Sequence, residues 1–379
     1  MLTNRNDYSH GVFHLTRKKL KNKQMKKLIL LQTALALLFA LPAFSQRDTI
    51  VSPLDVVDTL NQDFGLFTND DILHLSLRFD MTQYTRKKPK DEYMDAILTY
   101  HINKTDSINR NIRLKSRGEM RNGYCSFPPI RLNFKNAGFK KADLSQIEKI
   151  KLVTHCQYGN EEYLFKEFLI YKLFNVLTDT SFRVRLVNIE YINTRKKSKP
   201  VNTYAFFIEP VEMLAERVNA TVVSSVNLTQ KNIVPQMMDR LAIFNYMIGN
   251  TDWSVPNQHN CKVLSALSFN TSGLGMVVPY DFDYSGLVDA DYAIPYEPLG
   301  LSSVRERRYV GICRTEDVFT NAVKEFLNKK EAFYKVINDF QLLDEKERTK
   351  MIRYLDSFYQ DFDDRNTIVK NILSGCTKF

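Results

Sequence analysis

The sequence predicts an α+β fold of two lobes: an antiparallel sheet lobe with one main helix over residues 70–209, then a mainly helical lobe over 210–379. Three observations predict it. Apolar and polar residues alternate in short segments up to Ile208, the period of a half-buried strand. The period lengthens to that of a helix once within that stretch, and again for most of the chain after it. The change falls at Glu209-Pro210, a pair that cannot continue a sheet ladder.

The elements follow in order. Ile72 to Phe79 and Ala96 to Ile102 alternate as strands, separated by a basic, Pro-bearing turn from Arg86 to Lys90. Ile112 to Gly118 and Ile130 to Phe134 form the next pair, joined by a loop from Glu119 to Pro129 that contains Gly123. Ile150 to His155 is a further strand. Phe165, Phe168, Leu169, Leu173 and Val176 then mark a helical stripe. Phe182 to Tyr191 and Thr203 to Ile208 pair around the basic tip Arg195 to Pro200. Beyond the break we expect a short helix at Met213 to Val218, a longer one at Asn232 to Ile248, a hairpin of Lys262 to Leu267 with Leu274 to Val278, and helices including Val318 to Leu327 and Glu345 to Phe358.

The N-terminus carries an address. Met25-Lys26-Lys27 leads into the apolar run Leu28 to Pro42, followed by Ala43-Phe44-Ser45, which has the plan of a signal peptide with a small-x-small cleavage site. The run is shorter than the roughly 20 apolar residues of a spanning helix, so we expect processing and no stable transmembrane segment afterwards. The expected product is exported, to the periplasm, the cell envelope or the medium. Residues 1–45 are then a targeting segment and 46–69 a lead-in.

That segment distorts the charge. The whole chain has a net charge of +10, but residues 1–45 hold eight Lys/Arg and one acid, and the rest is close to balance at +3. Nucleic-acid binding is therefore not expected. The five cysteines, at 125, 156, 261, 313 and 376, have no zinc spacing, and we expect them to be buried and free.

Two polar segments stand out in the helical half. Gly249 to Asn260 reads G-N-T-D-W-S-V-P-N-Q-H-N, and Val278 to Ser285 reads V-P-Y-D-F-D-Y-S. An acid on a loop, an Asn five residues on, a hairpin and then another acid suit phosphoryl transfer. One carboxylate orients the nucleophile, while an amide and a second carboxylate give hard oxygen ligands to Mg²⁺. Singly, each segment is explained by a turn; together they are not.

The wording G-N-T-D-x-x-x-x-N followed by P-Y-D-F-D resembles the CotH family of spore-coat and exported atypical kinases. The likeness extends upstream through Arg117-Gly118, Ile130 to Phe134, Leu152-Val153 and Phe206 to Glu209. It implies a protein-kinase-like fold and transfer of phosphate from ATP or another nucleotide, with Mg or Mn, to a protein or other hydroxyl-bearing acceptor. By position, Asp252 is the implied catalytic base. Asn257 and Asp281 are implied metal ligands, with Asp283 an extra one and Asn260 a rival to Asn257. Lys151 is the implied phosphate-contacting lysine, in competition with Lys149 and Lys135. Glu167 is its partner, in competition with Glu161 and Glu162. Glu209 begins the hinge beside the base, and Arg117 and Arg131 are further phosphate contacts. The chain departs from the kinase pattern in lacking G-x-G-x-x-G and a His-Arg before Asp252. The alternative expectation is a catalytically inactive exported scaffold or surface interaction protein with the same fold.

Overall fold

The computed structural model describes residues 66–378, except 69, 102, 136, 138–147, 225–226, 268–272 and 364. The expected targeting segment and nearly all of the lead-in lie outside these residues.

Seven strands make the first part: β1 Leu73–Phe79, β2 Met94–His101, β3 Ser107–Ser116, β4 Ile130–Asn133, β5 Lys149–Val153, β6 Val184–Asn193 and β7 Val201–Ile208. Helix α1 (Met81–Lys87) follows β1, α2 (Met120–Tyr124) sits between β3 and β4, and α3 (Glu162–Leu177) joins β5 to β6. Then come α4 (Val211–Arg217), β8 (Ala220–Val222), α5 (Pro235–Ile248), β9 (Cys261–Ala266) and β10 (Met276–Pro279). Helices α6 (Glu316–Asn328), α7 (Lys330–Asn338), α8 (Glu345–Tyr359) and α9 (Thr367–Gly375) complete the chain.

The two-lobed kinase-like fold is not what forms. The seven strands close into a barrel in the order β1-β2-β3-β4-β5-β7-β6, and β8–β10 make a separate three-stranded sheet. Closure comes from a parallel pairing of β1 with β6, Leu73 opposite Val187 through Phe79 opposite Asn193, so the sheet is neither open nor wholly antiparallel. Its interior is a core of its own, with Leu75, Leu77, Leu114, Leu132, Leu152 and Ile189 among the buried residues. The outer face of β5, β6 and β7 enters a second core through Val153, Val184, Leu186, Phe206 and Ile208. That second core runs on through α3, α5, the β9–β10 hairpin and the C-terminal helices. The apolar contacts thus bridge residue 210 instead of dividing there.

Local chemistry explains two differences from expectation. The predicted turn after β1 starts as α1, because the Asp80 side chain accepts from the Gln83 amide at 2.7 Å and caps it. Tyr84 on α1 is fully buried and donates to the carbonyl of Pro128 at 3.0 Å. Helix α3 is buried on nearly every side rather than along one stripe, because the barrel packs against one flank and the later helices against the other. Among the described residues no helix is long and apolar enough to cross a membrane.

Four of the five cysteines correct the expectation of free thiols. Cys125 is bonded to Cys156 and Cys313 to Cys376; Cys261 is free and buried.

Candidate functional site

A cleft of about 640 Å³ opens between Arg117–Arg121 on one side and Thr251, Asp252, His259, Asn260, Asp281 and Asp283 on the other, with Ile294–Pro298 along its rim. Local chain chemistry places both polar loops there. Helix α5 ends at Gly249, whose φ of 67° is a left-handed cap that favours glycine. Asn250 is buried, donates to the Asn245 side chain at 3.0 Å and accepts from the Asp252 amide at 3.0 Å, which fixes the turn into Asp252.

The β9–β10 hairpin brings the second loop alongside. Cys261 pairs with Pro279, and the Tyr280 amide donates to the Asn260 carbonyl at 3.0 Å. Asn260 and Asp281 therefore stand at the same end of the hairpin. Asp281 has a φ of 62°, unusual for a residue with a side chain and costing about 1 kcal/mol. It is held by its own amide donating to the Tyr171 hydroxyl at 2.9 Å. Phe282, fully buried, packs its ring 4.8 Å from that of Tyr171 and anchors the loop.

The two asparagines separate clearly. The Asn260 amide nitrogen donates to the Asp252 carbonyl at 2.8 Å and to its Oδ2 at 2.9 Å. Asn257 is exposed, on the tip of a loop closed by the Ser254–His259 bridge, and its side chain accepts from the His259 amide. The structure brings Asn260 to the cleft and leaves Asn257 outside it. His259 contacts the other Asp252 oxygen, Nε2 to Oδ1 at 2.7 Å.

The two aspartates of the second loop are held differently. Burial pushes the Asp281 carboxyl up, but Arg117, Arg121 and Lys151 outweigh it and hold it below the usual carboxylate range. An Arg117 guanidinium nitrogen is 3.7 Å from Asp281 Oδ2. Burial dominates at Asp283 and pushes it well up, with the neighbouring Asp281 and Glu167 charges adding to the rise. The two carboxyls are thus pushed in opposite directions, Asp281 towards the anion and Asp283 towards the neutral acid. Its Oδ2 is already taken by Arg121 Nε at 2.7 Å and the Tyr292 hydroxyl at 3.2 Å. Asp283 fits an internal brace better than a metal ligand.

Arg121, which the sequence did not single out, is the hub of this brace. It is buried on α2 and bridges Asp283 to Glu167 Oε2, the latter at 2.5 Å. The expected Lys151–Glu167 pair is thus replaced by Arg121–Glu167. Glu167 is fully buried, its carboxyl raised by burial against the pull of Arg121, and its Oε1 has no hydrogen-bond partner.

Lys151 does not line the cleft; its ammonium lies 4.2 Å from the centre of the Tyr280 ring, and its charge acts on Asp281. Burial, then the charge of Arg117, brings its amine down to about 7. Arg131 is its direct neighbour on β4. Glu209 is not part of the cleft: it is buried and spans Arg217 at 2.8–2.9 Å and the Arg183 amide at 2.9 Å, a structural tie at the end of β7.

For a divalent ion the fit is partial and specific. Asp281, held ionised, and the Asn260 amide oxygen are hard ligands of the kind Mg²⁺ or Mn²⁺ accepts, with waters and phosphate oxygens completing the shell. Among the described residues no three His, Cys, Asp or Glu side chains group to enclose an ion by themselves. No protein-family model matches the sequence, and no curated protein matches it.

Proposed function

We propose that the chain is an exported phosphotransferase that moves a phosphoryl group from ATP or another nucleotide, with Mg²⁺ or Mn²⁺, to a hydroxyl of a protein or other acceptor. The likeness of its two loops to the CotH family motivates the reaction class. The observation that carries it is the meeting of Asp252, Asn260 and Asp281 in one cleft, with Asp281 kept anionic by flanking cations. The two disulfides are compatible with export.

In this reading the acceptor oxygen attacks the terminal phosphorus and the bond to the bridging oxygen breaks. The nucleoside diphosphate leaves and the hydroxyl proton passes to Asp252. Contacts from His259 and Asn260 fix the orientation of that carboxylate. A divalent ion, when bound, neutralises charge on the phosphates; Asp281 and Asn260 would hold it. Arg121 keeps the loop rigid from below, and Lys151 and Arg117 supply positive charge beside it.

The test is transfer of labelled terminal phosphate to protein acceptors. The wild type is expected to transfer, Asp252→Ala to bind Mg-nucleotide without transferring, and Asp281→Ala to lose both. Transfer retained by purified Asp252→Ala and Asp281→Ala would reject these roles.

A further inference from the structure

Lys115, Arg131 and Lys151 are direct cross-strand partners on β3, β4 and β5: Lys115 opposite Arg131, and Arg131 opposite Lys151. Directly opposed residues share a face, so three cations stand in a row on the outside of the barrel at strand spacing, about 10 Å from end to end. All three are half-buried. None has an ion pair or hydrogen bond among the described residues, and aromatic rings are the neighbours of the outer two: Lys115 lies 5.0 Å from the ring centre of Tyr93, Lys151 4.2 Å from that of Tyr280. Like charges in register destabilise a sheet.

We infer that the Lys115–Arg131–Lys151 ladder is a binding site for an oligophosphate chain, extending from the Asp281 corner of the cleft across the barrel. A chain of phosphates matches a linear row of cations. The planar guanidinium in the middle suits bidentate phosphate contact, and the ammonium groups at either end act as point charges. The Lys151 end lies next to Tyr280-Asp281, where a terminal phosphoryl group would meet the metal ligands. As a statement about the phosphoryl donor this rests on the transfer reading; as an anion site it does not. The phosphates could belong to a nucleotide or to an inorganic chain.

The experiment is calorimetric titration with inorganic tripolyphosphate in chelator, without metal, at low ionic strength, on the full chain. The wild type is expected to bind, and binding should weaken with salt. Lys115→Gln combined with Arg131→Gln should weaken it roughly tenfold or more, as loss of two charged contacts implies. The same double variant should melt at a higher temperature than the wild type without ligand, since repulsion has been removed. Asp281→Ala, which abolishes metal-dependent binding in the transfer reading, should still bind metal-free tripolyphosphate, because it leaves the three cations in place. A nucleoside triphosphate that binds more tightly than tripolyphosphate assigns the chain to a nucleotide, and equal affinity assigns it to inorganic phosphate. Unchanged affinity in the double variant, or a lower unliganded melting temperature, overturns the ladder. Tripolyphosphate binding without any transfer activity would sink the transfer reading and leave the ladder standing.

Discussion

Two groups of charges sit within a few residues of each other and are built on opposite plans. The Arg121–Glu167–Asp283 brace is nearly closed: one buried cation, two buried carboxyls and the Tyr292 hydroxyl bond one another, with only Glu167 Oε1 left over. The Lys115–Arg131–Lys151 ladder is open, with three cations in register, none of them in a direct ion pair, and only the charge of Asp281 near its Lys151 end. The first arrangement holds a loop in place; the second awaits something from outside. Asp281 stands between them, drawing charge stabilisation from both. The difference teaches where function resides, because structure alone has no use for unrelieved repulsion beside a polar cleft.

The closed brace should break hardest. Arg121→Met strands two buried carboxyls and is expected to destabilise the protein by about 3–5 kcal/mol in urea unfolding. A loss below about 1 kcal/mol would show that the brace is not a closed unit. Next in size is the disulfide that follows α2. That helix is five residues long with no side-chain cap, too short to persist alone. Cys125–Cys156 ties its end to the loop after β5. Replacing both cysteines by Ser should cost about 3 kcal/mol, read as a lower melting temperature insensitive to reductant at this bond.

The open ladder should respond to pH where the brace does not. Burial lowers the Lys151 amine to about 7, so its positive charge is present below that pH and lost above it. Metal-free tripolyphosphate affinity should therefore fall between pH 6 and pH 8, and Lys151→Arg, which stays charged, should flatten the profile. An identical profile in both proteins would remove Lys151 from the site. Smallest is Lys115→Gln alone, expected to stabilise the unliganded protein by a few tenths of a kcal/mol.

Much of the local structure was legible. The alternation of β1 to β7 and the periodicity of α5 gave those elements, because periodicity reports which side of an element is buried; for α3 the apolar run gave the helix, but the single stripe expected of it did not form. Closure of the barrel was not legible, since it depends on β1 meeting β6 more than a hundred residues later, and no local pattern encodes a parallel partner. The merging of the second core across residue 210 was hidden for the same reason: Phe206 and Val153 look alike whether they face a helix of their own half or of the other. At the site, motif spacing pointed to Asn257, while position beside a strand pointed to Asn260. The hairpin register puts Asn260, and not Asn257, level with Asp281. Arg121 escaped notice because a buried cation in a short loop helix has no sequence signature apart from its partners, and those lie 46 and 162 residues away.

The central claim is tested most directly by thermal shift with Mg-nucleotide on four proteins: wild type, Asp281→Ala, Asn260→Ala and Asn257→Ala. Nucleotide at a hundred times its dissociation constant should stabilise the wild type by about 2.7 kcal/mol. Asn257→Ala should keep that gain, while Asp281→Ala and Asn260→Ala should lose most of it. No shift in the wild type at millimolar nucleotide, or a loss in Asn257→Ala with retention in Asn260→Ala, would contradict the account.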